Sequence, residues 1–259
     1  MASVEESGRF DGKVSVVTGA ARGIGEAYAC ALAQAGSAVA VVDLDIDRAR
    51  LVARKIEARG GTAVAIEADV SDGQSVTRMT DEVMTRFGGI DHLVNNAALF
   101  GDREPWDALR GDIAVWERTF SINATSVLLC TRAVAPYMER RGGGSIVNQS
   151  SVAAFRPSAD RLPYAVSKMA VVTVSQAFAA LLGPQRIRVN VIAPGFIDTE
   201  GYQRQLTFRS SDAAQVSSLP LARRGQAADL IGGLLYLLSD ASAYVTGQCL
   251  QIDGGMLMR

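Results

Sequence analysis

Tyr164 and Lys168 stand four residues apart at the start of a stretch with helical spacing, which sets both side chains on one face of a helix, a single turn apart. A free phenol titrates near 10 and is a weak base at neutral pH. An ammonium held beside it, with a second cation in a partly desolvated cleft, would favour the phenolate; each unit of downward shift takes about 1.4 kcal/mol of differential stabilisation. The pair is a candidate for moving a proton to or from an alcohol or carbonyl oxygen. Taken alone the spacing is common, and an exposed aromatic beside a solvated lysine is its plain structural reading.

A second group opens the chain. An apolar burst ends in Thr18-Gly19-Ala20-Ala21-Arg22-Gly23-Ile24-Gly25 and runs straight into a helical pattern. A glycine-rich turn there lets the backbone approach a pyrophosphate and aims the free N–H groups of a helix N-terminus at it. The next burst ends at Asp43, eighteen residues beyond Gly25. A carboxylate in that place accepts hydrogen bonds from the adenosine ribose hydroxyls and repels a 2′-phosphate, which points to NAD over NADP. Arg22 pulls the other way, since it could meet a 2′-phosphate as well as the pyrophosphate; Asp43 outweighs it. The structural alternatives for Asp43 are a solvated strand end or the N-cap of the following helix, for which Asp45 also serves.

These residues need a frame to hold them. Seven apolar bursts read as buried strands: Val14 to Val17, Ala38 to Val42, Ala63 to Ile66, Ile90 to Val94, Ser145 to Val147, Ile187 to Ile192 and Cys249 to Ile252. Helical spacing fills Ile24 to Ala35, Ile46 to Ala58, Val76 to Phe87, Trp116 to Met138 and Val166 to Leu182. Strand and helix alternate, so the expected fold class is α/β: a Rossmann-type, doubly wound parallel sheet of about seven strands with helices on both faces. Residues 10–259 read as one domain behind a polar, disordered tail at residues 1–9. Two stretches break the alternation, residues 97–114 and a loop at about 196–224, and both are expected to shape a substrate pocket beyond the strand ends.

Composition removes other classes. Lys plus Arg number 26 against 27 Asp plus Glu, without runs, so no basic face for nucleic acid is expected. A single histidine, His92, excludes a histidine-cluster metal site and leaves a serine hydrolase one possible base; it reads as structural. Cys30, Cys130 and Cys249 are too far apart for a metal site or a disulfide framework, which suits a reducing, cytoplasmic setting. The longest apolar runs, such as Leu230 to Leu238, fall short of a membrane span, and no secretory leader precedes the first strand.

Further motifs accompany the first two: Asp69-Val70, Asn95-Asn96-Ala97, Asn123, Ser150-Ser151 and Pro194-Gly195-Phe196-Ile197-Asp198-Thr199. With these the chain from about Phe10 to its end resembles the short-chain dehydrogenase/reductase family. The resemblance implies that Tyr164 is the general acid/base, that Ser151 bonds the substrate oxygen, that Lys168 binds the nicotinamide ribose and lowers the tyrosine pKa, and that Asn123 holds a proton-relay water. Thirteen residues from Ser151 to Tyr164 select Ser151 over Ser150. It also implies cofactor contacts from Gly19, Arg22, Gly23, Ile24 and Gly25; from Asp69 and Val70 at the adenine; from Asn95 and Ala97 along the adenosine; and from Pro194, Gly195, Ile197 and Thr199 toward the carboxamide. Ala98 stands where the family pattern has glycine, and the Asn95-to-Asn123 spacing is a few residues long, which makes the Trp106 loop a candidate specificity element.

The expected activity is hydride transfer between NAD and a secondary alcohol or its ketone, in a pocket walled by Trp106, Phe155, Phe196 and Tyr202 and suited to cyclic or aromatic substrates. The alternatives are an NADPH-dependent 3-oxoacyl carrier-protein reductase and a catalytically silent nucleotide-binding module. The resemblance further implies a homotetramer paired through the helices carrying Trp116 and Tyr164 and through the last strand.

Overall fold

The computed structural model describes residues 10–100, 106–206 and 216–258; the expected tail at residues 1–9 lies outside them. Seven parallel strands form one sheet in the order β3-β2-β1-β4-β5-β6-β7: β1 Val14–Thr18, β2 Ala38–Asp43, β3 Thr62–Glu67, β4 His92–Asn95, β5 Gly144–Gln149, β6 Ile187–Pro194 and β7 Cys249–Ile252. The order reverses between β1 and β4, where an open parallel sheet leaves a crevice at its carboxyl edge.

Strand alternation divides the core in two. Val17, Val39, Val41 and Ile192 face helices α1 (Gly23–Gln34) and α2 (Ile46–Glu57) and the last helix, α8 (Ile231–Leu238). Val16, Val42, Leu93, Ile146 and Val189 face α3 (Gly73–Phe87), α5 (Ser126–Arg140) and α6 (Leu162–Leu182). The central strands are apolar on both sides, which is why they read as unbroken apolar bursts.

The single expected helix from Trp116 to Met138 is three consecutive segments. Helix α4 (Ile113–Phe120) passes through a π-helical turn, Ser121–Thr125, into α5, with the Ser126 N–H bonded to the Ser121 carbonyl. Such wide turns are rare and cluster at functional sites; this one carries Asn123. Helix α6 with its flanking turns, Ala159–Gln185, is long and apolar enough to cross a membrane by length and composition, contrary to the expectation that all apolar stretches are short. Half of its most apolar window is buried, and it packs against β6, with Lys168 inside the fold, as a core helix does.

His92 is structural, as expected. It is buried on β4, Nδ1 lies 3.0 Å from the Ser15 hydroxyl of β1, and the Phe10 ring packs edge-on at 4.8 Å. Burial lowers its pKa from 6.5 to about 4. The unfolded chain therefore binds a proton between those values that the native chain refuses, and native stability falls as pH drops from 6.5 toward 4, by up to about 3 kcal/mol. Replacing His92 by leucine should flatten this part of the profile in urea titrations at pH 7 and pH 5; an unchanged slope would count against the assignment.

Candidate active site

The glycine turn after β1 is held by contacts that leave no room for side chains. Gly19 has φ +63°, and a Cβ there would stand 2.7 Å from the Ala97 Cα. A Cβ on Gly25 would stand 2.1 Å from the Gly19 carbonyl oxygen. Thr18 and Asn96 fasten the turn to the end of β4: the Thr18 hydroxyl accepts from the Asn96 and Ala97 N–H groups, and Asn96 Nδ2 donates to the carbonyls of Thr18 and Gly19 at 3.0 Å each. Asp43 accepts from the Ala21 N–H at 3.0 Å and the Asp45 N–H at 3.0 Å, while Asp45, not Asp43, caps α2. Each Asp43 oxygen keeps a lone pair for a further donor.

One cavity of about 950 Å³ runs along this edge. Gly19, Arg22, Gly23, Ile24, Gly25, Asp43, Asp69, Val70, Ala97, Pro194, Gly195, Ile197 and Thr199 border it, as do Ser151, Tyr164 and Lys168. The exposed methyl of Ala98 does too. Asp69 makes a turn with Ser71, accepting from its N–H and hydroxyl, while Asp72 caps α3.

Two expected site residues are elsewhere. Asn95 is the last residue of β4, paired in register with Asn148 of β5, and its Nδ2 donates to Asn148 Oδ1 at 2.8 Å inside the fold. The residue that reaches the cleft is its neighbour Asn96. Asn123 is buried behind the cleft wall: Oδ1 accepts from the Leu99 N–H at 2.7 Å, and Nδ2 donates to the Leu99 carbonyl at 3.1 Å and the Ser167 hydroxyl at 3.0 Å. Both amide hydrogens are thus used, so the side chain staples the loop after β4 to helix α6.

The reacting end is built by β5 and α6. Ser151 follows β5, accepts from the Ala153 N–H and shares a hydrogen bond with the Tyr164 phenol. Ser150 is buried, its hydroxyl donating to the Lys168 carbonyl at 2.7 Å, which is the structural role expected for it. Lys168 is buried too, with Nζ donating to the Gln149 carbonyl at 2.8 Å and lying 5.8 Å from the Tyr164 ring centre. Gln149, overlooked in the sequence, borders the cleft, and its amide oxygen accepts from the buried Tyr28 hydroxyl of α1 at 3.1 Å.

Within the protein alone, burial dominates the electrostatics of this pair. Burial raises the Tyr164 phenol to about 12, against the Ser151 hydrogen bond and the charge of Arg161, which both lower it. Burial also lowers Lys168 to about 7, which weakens it as a standing cation beside the phenol.

The sequence profile described as Enoyl-(Acyl carrier protein) reductase matches residues 19–257. An uncharacterized oxidoreductase of Mycobacterium tuberculosis is 46% identical over 250 residues, spanning 96% of this chain and 99% of its own. The chain belongs to the short-chain dehydrogenase/reductase family. The 7alpha-hydroxysteroid dehydrogenase of Escherichia coli K12 is 36% identical over 247 residues, 95% of each chain. A solved 7 alpha-hydroxysteroid dehydrogenase complexed with NADH and 7-oxo glycochenodeoxycholic acid superposes with a TM-score of 0.93 at 33% identity, covering 100% of this chain and 99% of that one.

In this short-chain dehydrogenase/reductase the aromatic lining differs from the sequence expectation. Tyr202 borders the cleft, joined by Phe100, which sets its edge against Tyr164 at 5.0 Å. Trp106 turns away: it lies 6.3 Å from Trp116, which stacks on Phe120 at 5.2 Å, and its Nε1 donates to the Asp112 carbonyl. Phe196 packs on Tyr202 at 5.8 Å from outside the cleft wall, and Phe155 sits in the turn after Ser151 without bordering the cleft. Residues 101–105 and 207–215 of the two loops, including Phe208, lie outside the described residues. Among the described residues no cluster could hold a metal ion, and the three cysteines are free.

Proposed function

We propose that this enzyme is an NAD-dependent oxidoreductase acting between a secondary alcohol and its ketone. The observation that carries the reading is the convergence of Tyr164, Ser151 and Lys168 on one cleft that also holds the Gly19–Gly25 turn and Asp43. The residues fit a dinucleotide. Side chains are barred from Gly19 and Gly25, and Asp43 has lone pairs to spare for ribose hydroxyls. Gly19, Arg22, Gly23, Ile24 and Gly25 would hold the pyrophosphate, Asp69 and Val70 the adenine, Ala97 the adenosine side, and Pro194, Gly195, Ile197 and Thr199 the nicotinamide. Bound there, the dinucleotide would supply or accept the hydride.

The chain's own residues handle the proton. At neutral pH the phenol of Tyr164, held near 12, keeps its proton and is ready to give it to a ketone oxygen bonded by Ser151. In the oxidative direction it must ionise, and positive charge brought next to it would drive that ionisation; as the phenolate forms, its attraction favours the charged form of Lys168. Asn123 acts at one remove, by fixing the loop after β4 against α6.

Phe100, Tyr202, Leu99 and Ile122 give the cleft an apolar side suited to cyclic alcohols, steroids among them, in keeping with the hydroxysteroid dehydrogenase relatives. The three free cysteines suit a cytoplasmic setting, and the exposed Leu128 and Met169 on α5 and α6 suit a homotetramer. Arg22 on the cleft wall favours a second reading, an NADPH-dependent 3-oxoacyl carrier-protein reductase. A silent module is disfavoured, because its cleft would have no use for the Ser151–Tyr164–Lys168 grouping.

Screening secondary alcohols and ketones with both cofactor pairs separates these. The expected result is activity on a cyclic alcohol with NAD preferred at least about tenfold in kcat/KM, 1.4 kcal/mol in transition-state terms. An equal preference for NADPH would overturn the cofactor assignment, and no turnover on any member of the panel would support the silent module.

A further inference from the structure

We propose that Glu200, through its ion pair with Arg48, is a specificity-determining residue that keeps a 2′-phosphate out of the adenosine end of the cleft. The inference rests on the NAD reading above and extends it to a residue far from Asp43 in the chain.

The pair joins the two lips of the cleft. On one side β2 ends at Asp43, Asp45 caps α2, and Arg48 lies in the first turn of that helix. On the other, the segment after β6 turns into α7 (Glu200–Leu206), so Glu200 begins the substrate-loop helix. Asp43, Leu44 and Glu200 all border the same cavity. Arg48 Nη1 lies 3.4 Å from Glu200 Oε2, and Arg48 Nε lies 3.5 Å from Asp45 Oδ2. Its guanidinium is thus shared between two carboxylates.

A 2′-phosphate carries about −1.5 to −2 charges at neutral pH and is recognised best by an arginine with its donor fork available. Beside Asp43 it would meet that carboxylate and, on the helix that follows, an Arg48 whose charge Asp45 and Glu200 already balance. Glu200 therefore acts through Arg48: it occupies the cation that would otherwise bind the phosphate. The pair is half exposed, with side-chain accessibilities of 42% and 49%, so a bound phosphate could compete for Arg48 once Glu200 is neutralised. Arg22 enters from the glycine turn on the same cavity and is untouched by this exchange.

The test is equilibrium binding of NAD and NADP, by isothermal titration, to the wild type, Glu200→Gln, Arg48→Gln and the double variant. Glu200→Gln should tighten NADP binding about fivefold, the upper range for an exposed ion pair, while NAD affinity moves less than about twofold. In the double variant the gain should vanish, because Arg48 is the group set free. A gain that persists without Arg48, a change shared equally by both cofactors, or no change at all would overturn the proposal. A wild type that binds NADP more tightly than NAD would instead defeat the NAD reading itself, and that result stands before any variant is compared.

Discussion

Tyr164→Phe lowers turnover by about 10³-fold or more while leaving the affinity for NADH within about twofold of wild type. The substitution removes one oxygen and keeps the ring, so its edge contact with Phe100 and its place on α6 survive. The group lost is the one proposed to give or take the proton, and general acid–base catalysis is worth about 10²–10⁴-fold. Ser151 loses a hydrogen-bond partner but keeps the Ala153 N–H, so the fold has little cause to move. Steady-state rates on the best ketone, with NADH binding followed by fluorescence, check both halves. Turnover within tenfold of wild type would remove Tyr164 from the chemistry; lost NADH binding would mean that the phenol serves the cofactor site.

Gly25→Ala abolishes measurable dinucleotide binding, an effect of about 10²-fold or more on affinity. The new methyl group would stand 2.1 Å from the Gly19 oxygen, 2.8 Å from the Gly19 carbonyl carbon and 2.6 Å from Asn96 Nδ2. None of these can retreat cheaply. Gly19 is itself confined by Ala97, and Asn96 Nδ2 ties the turn through two carbonyls. The turn must open, at an overpacking cost of about 1–3 kcal/mol, and its N–H groups lose their common aim. Gly183→Ala is the matched control, since a Cβ there meets nothing within 4 Å. Wild-type affinity in Gly25→Ala would show that the cofactor does not use this turn.

Much of the scaffold was legible because a strand buried on both faces is apolar at most positions, which marks it without any knowledge of its neighbours. Tyr164, Lys168 and Ser151 were legible through spacing on one helix and the strand end before it. What failed did so for tertiary reasons. Asn95 and Asn96 are adjacent in a motif, and only the register with Asn148 decides which of them is buried in the sheet and which reaches the cleft. Asn123 reads as polar in an apolar helix, and its bonds to Leu99 and Ser167 were invisible because those partners come from separate elements. The burial that raises Tyr164 in the protein alone is something no spacing reports, and Trp106 found aromatic partners in α4 instead of the cleft. Glu200 and Arg48 are 152 residues apart, and nothing local joins them.

The central claim is that Tyr164 ionises within reach of neutrality only when positive charge is placed beside it. Ultraviolet difference titration of tyrosinate, wild type minus Tyr164→Phe, measures this directly, with and without saturating NAD. Without NAD the wild type should show no extra ionisation below about pH 11, as a phenol held near 12 requires. With NAD one extra tyrosinate per chain should form by about pH 9, a shift of three units or about 4 kcal/mol. An identical titration in both conditions would contradict the account.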